Sequence, residues 1–167
     1  MRPRAPAAIV LAAALACNQG LEPAPVPTSC PAGVVGVCGT VTFRGTEPDS
    51  TDGVFIVGYP TFPQSRNDLL AFKPFPPPAS LPRPFTGAQF YTLRIPNGRY
   101  EWVVAVWKKV GTFAPNFGNA DSLLKEAGFY GSGAVVVNGT GTDAIDFVID
   151  FNDMHAISYY FPAPSQP

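Results

Sequence analysis

The chain has 167 residues, is 46% hydrophobic and carries a formal charge of −1, with a single histidine. Its 16 glycines and 20 prolines make up about a fifth of the residues, against roughly 12% in ordinary proteins, which excludes a helical bundle or coiled coil. Charged residues amount to 14%, too few for a polyelectrolyte tail and too evenly balanced for a nucleic-acid footprint.

Residues 1–17 begin Met-Arg-Pro-Arg, continue from Ala5 to Ala16 as a small, apolar run broken only by Pro6, and reach Cys17. A basic start, about a dozen apolar residues and small residues before a cut form a secretory signal peptide. The run is short of the roughly 20 helical residues that span a bilayer. Its end, Ala14-Leu15-Ala16-Cys17, resembles the lipobox of bacterial lipoproteins. That resemblance implies cleavage of residues 1–16 and lipidation of Cys17, with Asn18 pointing to the outer membrane. Three acyl chains, as that family carries, exceed the two signals needed for stable anchoring. The other reading is an ordinary signal peptide cut nearby. Loss of Arg2 and Arg4 leaves nine basic against twelve acidic residues, a net charge of −3.

Residues 18–29 place Pro23, Pro25 and Pro27 in alternation without an apolar period, so 17–29 is read as the lipidated cysteine and a semi-extended tether. The folded domain is expected over 30–167. Cys30 and Cys38 remain after Cys17, and in an exported chain one remaining pair predicts a disulfide. A metal-binding or catalytic thiol pair is the rival, but CxxC spacing and a nearby histidine are both missing.

From here the pattern is period-two. Strands are expected over Val37–Phe43, around Val54–Val57 after the turn Asp49–Gly53, over Gln89–Ile95, and over Arg99–Trp107 after the turn Pro96-Asn97-Gly98. Both faces of Arg99–Trp107 are rich in apolar residues, so this strand is read as central. Ala134–Val137, Ala144–Phe151 and an edge strand His155–Phe161 complete about seven strands. One short helix is expected over Asp121–Ala127, capped by Asn119 or Asp121 and stopped by Gly128. Seven prolines between Phe62 and Phe85 predict a long loop, with at most an edge piece around Leu69–Phe72. Together these elements predict an all-β, antiparallel β-sandwich.

Two blocks, Cys38-Gly-Thr-Val-Thr-Phe43 and Tyr91-Thr-Leu-Arg-Ile-Pro-Asn-Gly-Arg-Tyr100, resemble carboxypeptidase regulatory-like domains. These are prealbumin-like sandwiches with a G-x-V-T opening strand and a Pro-x-Gly-x-Tyr turn between strands. The resemblance implies a non-catalytic module of exported bacterial proteins, some of whose near relatives in fold bind starch.

Chemistry is sparse. HExxH, GxSxG and P-loop patterns are missing, and the glycine-rich Gly139–Ala144 leads into a strand where a dinucleotide fingerprint requires a helix. Asp150, Asn152, Asp153 and His155 lie close enough in sequence to present ligands to a cation, but the spacing equally suits a turn. Asp49 and Asp52 are read as turn residues in the same way. No metal or cofactor is therefore expected. Aromatics at 13% leave Trp107, Phe113, Phe117, Phe129 and Tyr130 as rings that could stack on a ligand, against core packing as the alternative. The expected role is a lipid-anchored, non-catalytic interaction or structural module at the cell envelope, bound to the membrane through its lipid and to a protein or glycan partner. A carbohydrate-binding module is the alternative.

Overall fold

A computed structural model describes residues 27–114 and 117–161. The signal segment and Cys17, with most of the tether, therefore lie outside the described residues.

The fold is an all-β sandwich. The first sheet is built on β1 (Gly36–Arg44), which pairs antiparallel with β3 (Ala88–Arg94). On its other side β1 pairs in parallel with β8 (Gly141–Thr142) and then β9 (Phe147–Asp150). The second sheet is antiparallel throughout. Its order is β10 (His155–Ala156), β6 (Leu124–Phe129), β5 (Trp102–Lys109) and β2 (Thr51–Tyr59). A separate ribbon joins β4 (Gly98–Tyr100) to β7 (Val135–Val137). The antiparallel sandwich expected from period-two patterning is present. The parallel contacts of β1 were not readable from alternation, which gives a strand's face and not its neighbour's direction.

The inner faces fill as alternation dictates. Val37, Val41 and Phe43 of β1 meet Tyr91 and Leu93 of β3, Ile56 of β2 and Ile149 of β9 in one buried cluster. Phe43 stacks on Phe151 at 5.9 Å, and Phe85, arriving at the end of the long loop, closes against Phe43 at 5.5 Å. Two glycines let the backbones approach. A Cβ on Gly39 would lie 2.2 Å from the Ile145 carbonyl oxygen, and one on Gly128 would lie 1.9 Å from that of Val148. The second contact is where β6 of one sheet presses on β9 of the other.

β5 is buried on both faces, as its composition predicts. Val103, Ala105 and Trp107 face the sandwich interior, while Trp102, Val104 and Val106 face outward into a second apolar cluster with Val57 and Tyr59. The outer face is covered because the proline-rich segment 60–85 lies across it as a strap. Gly58 and Lys73 exchange N–H to C=O bonds of 2.9 and 2.7 Å, and the Leu81 N–H donates to the Val54 carbonyl at 2.8 Å. The Tyr59 hydroxyl donates to the Leu69 carbonyl at 3.0 Å. The strap thereby caps the free edge of β2, which would otherwise present a row of unpaired backbone groups.

Four expected elements differ. The strand expected over Arg99–Trp107 is broken at Glu101: its start belongs to β4, which pairs with β7, and only the part from Trp102 joins the second sheet as β5. The helix over Asp121–Ala127 is a single turn, α1 (Ala120–Leu123), and the chain then extends as β6. Pairing with β5 on one side and β10 on the other outweighs the local cap and stop signals. The edge strand His155–Phe161 pairs only at its first two residues and then turns into a 3-10 helix over Ile157–Tyr160. The expected edge piece around Leu69–Phe72 begins inside a 3-10 turn at Arg66–Leu70, and the only pairing there among the described residues is an isolated bridge just beyond it, at Lys73. Asp68 fixes that turn, accepting the N–H groups of Gln64 and Ser65 at 3.0 and 2.9 Å. Cys30 and Cys38 are disulfide-bonded, tying the segment that enters the domain to β1.

Candidate functional site

Among the described residues, two cavities of opposite character flank the second sheet. The larger, about 430 Å³, lies between the outer face of that sheet and the strap. Its floor is β2, through Phe55, Val57 and Tyr59, together with Val106 of β5 and Leu124 of β6. Alternation along β2 and β5 puts these residues on the face turned away from the sandwich core. The strap supplies Leu69, Leu70, Phe72, Phe75 and Pro77, and the loop after β5 supplies Phe113 and Phe117. Several of these rings support one another: Phe72 lies 5.6 Å from Phe75, and Phe113 lies 5.2 Å from Phe117.

Among the described residues, only Asp52 and Lys108 bring charge to this cavity's lining. Asp52 occupies a bulge at the start of β2, and the Lys108 ammonium donates to its carboxylate. Lys108 Nζ also lies 3.4 Å from the Gly111 carbonyl oxygen and 6.0 Å from the centre of the Phe113 ring. The Tyr59 hydroxyl is taken by Leu69, and its burial pushes the phenol well above its ordinary range, so it stays protonated. Apolar walls with one ion pair at the edge suit binding of a hydrophobic body, with the pair fixing orientation.

The smaller cavity, about 360 Å³, is polar and lies where β6, β9 and β10 meet. Its inner group is Glu126, only 3% exposed, which accepts a 2.6 Å hydrogen bond from the Tyr160 hydroxyl. His155 Nδ1 lies 3.5 Å from the same carboxylate oxygen without a hydrogen bond to it, and His155 Nε2 lies 3.6 Å from Asp153. Burial holds the Glu126 carboxyl above the usual range, although Tyr160 and His155 pull the other way. Tyr160 is pushed up by its own burial and by the carboxylate it faces.

Asp150, Asn152, Asp153 and His155 are thus only partly brought together. Asp150, Asp153 and His155 line the polar cavity, whereas the Asn152 side chain packs against Gly45. Asp150 accepts the Asn152 N–H at 2.8 Å, and the Asp153 N–H reaches the Asp150 carbonyl at 3.2 Å, as in the turn reading. Glu126 was not singled out by sequence reasoning. Its signal was an acidic residue amid Leu124, Ala127 and Gly128, masked because that stretch reads as a helix end. Beside the disulfide, the Cys30 N–H donates to Asp143, but both sulfurs are committed to each other and offer no thiolate to a metal.

The five aromatic candidates separate. Trp107 is 4% exposed and spends its indole N–H on Thr51 Oγ1 at 2.8 Å, so its ring belongs to the core and does not face a ligand. Tyr130 is partly buried against the same core. Phe129 is exposed and borders the polar cavity, 6.2 Å from Trp102. Phe113 and Phe117 line the apolar cavity, to which sequence reasoning added nothing from the strap. No known protein family, curated protein or solved structure matches the chain.

Proposed function

We propose that this chain is a lipid-anchored, non-catalytic binding module of a bacterial cell envelope, which holds an apolar ligand beneath its proline-rich strap. The anchor rests on the lipobox-like Ala14-Leu15-Ala16-Cys17 and the basic, apolar segment before it. The outer membrane is the site that Asn18 favours. The observation that carries the binding role is the cavity of about 430 Å³, walled by aromatic and aliphatic side chains from three separate segments. Burying an apolar ligand there removes its surface from water at roughly 25 cal/mol per Å².

The test is titration of the full chain carrying Cys17→Ala with the neutral, polarity-sensitive dye N-phenyl-1-naphthylamine. Saturable binding at one site is expected, weakened at least tenfold by Val106→Phe, which fills the cavity from its floor. Binding that ignores this substitution would place the dye elsewhere and overturn the reading. The carbohydrate-binding alternative would have to use surface rings, and Phe129 and Tyr159 are among the exposed ones. A polysaccharide screen in which Phe129→Ala or Tyr159→Ala abolishes a saturable hit would favour it.

A further inference from the structure

We infer that the cavity beneath the strap selects a single-chain amphiphile with a carboxylate head, about the size of decanoate, and seats that head on Lys108. This rests on the binding role proposed above and names the ligand's class. At about 430 Å³ the cavity is in the range that takes one small ligand, which suits a medium-length chain with its head better than a two-chain membrane lipid.

The choice of an anionic head follows from the asymmetry of the ion pair. The Lys108 side chain is 22% exposed and Asp52 is 46% exposed. Asp52 can turn into water with its hydration largely restored. Lys108 cannot, because its stem lines the cavity and its ammonium is held near the Gly111 carbonyl and the Phe113 ring. An incoming carboxylate therefore takes Asp52's place on an ammonium that is already positioned. A cationic head would have to use Asp52, and would leave the more buried of the two charges unpaired. A neutral hydroxyl can accept from Lys108 but brings no charge to replace that of Asp52.

The experiment is displacement of N-phenyl-1-naphthylamine from the full chain carrying Cys17→Ala, by decanoate and by decanol in parallel. Decanoate is expected to displace the dye at a concentration at least tenfold lower than decanol. Lys108→Met should remove that gap, each competitor being read against the dye's own affinity for the variant. Asp52→Asn should tighten decanoate severalfold relative to decanol, which keeps the test alive if Lys108→Met folds poorly. Equal displacement by acid and alcohol, or a gap that survives Lys108→Met, overturns the carboxylate assignment and leaves the binding role standing. Phospholipid vesicles that compete as well as decanoate also overturn it, in favour of a membrane acyl chain. Failure of the dye to bind at all removes the binding role and this inference together.

Discussion

Glu126 is the residue where burial and pairing compete most visibly. It sits 3% exposed under Tyr160, facing His155, with Asp150 and Asp153 across the same cavity. Desolvation prevails, and the folded chain holds the Glu126 proton to higher pH than the unfolded chain, whose carboxyl titrates near 4.5. The native state then binds more protons than the unfolded state across the window from about 4.5 to the raised value. This contribution to stability is therefore fully present below that window and lost as pH rises through it. Glu126→Gln keeps an acceptor for the Tyr160 hydroxyl and removes the ionisation. Thermal unfolding across pH 4–8 should show the variant losing less stability on the alkaline side of the window than the parent. Parallel curves for the two proteins would mean that this carboxyl does not titrate with folding. Gly128, two residues on, is constrained sterically. At a φ of +154° and with Val148 O where a Cβ would lie, Gly128→Ala must push β6 off β9. Denaturant unfolding should register a loss of about 2–3 kcal/mol.

At the level of elements, what was legible in the sequence is what period two encodes. Val41 and Phe43, then Tyr91 and Leu93, then Phe147 and Ile149 point to the core as their alternation requires, and β5 is buried on both faces. The stretch 121–127 misled because Asn119 and Gly128 look like helix boundaries. One turn does form, and the glycine instead serves a close crossing of strands, a requirement set by a segment 20 residues away. The apolar cavity was half legible. Phe113 and Phe117 stood out as rings in a loop, but Leu69–Phe72 read at most as an edge piece and Phe75 as spacing between prolines. Their role depends on where the strap lands, and that is decided by backbone bonds to the edge of β2. The Tyr59 hydroxyl is the buried fastening of strap to sheet. Tyr59→Phe would leave the Leu69 carbonyl without this donor and should cost about 1–2 kcal/mol in denaturant unfolding. Dye binding should weaken more than stability does, because the strap forms one wall of the cavity. If affinity is unchanged in a folded Tyr59→Phe variant, the strap is held in place by its other contacts alone.

For the whole molecule, the disulfide divides two jobs. Cys30 and Cys38 clamp the chain as it enters β1, so what lies before Cys30 can serve attachment while everything after it serves the fold. Closing so short a loop restricts the unfolded chain by about 2–3 kcal/mol. Replacing both cysteines by serine should lower stability by that amount in denaturant unfolding, without moving the protein out of the membrane fraction. Cys17→Ala should have the converse effect. On the proposed lipid anchor, this substitution removes the site of acylation, and the described residues contain no helix long and apolar enough to cross a bilayer. The variant should move from membrane to soluble fractions, with an unfolding midpoint matching that of the parent domain. Membrane retention of Cys17→Ala would mean that attachment runs through another surface, and the exposed apolar rim of the strap, at Leu70 and Phe75, would be the first place to look. Release of the Cys30→Ser, Cys38→Ser variant along with Cys17→Ala would instead show that attachment depends on the folded domain, and the separation of anchor from fold would fail.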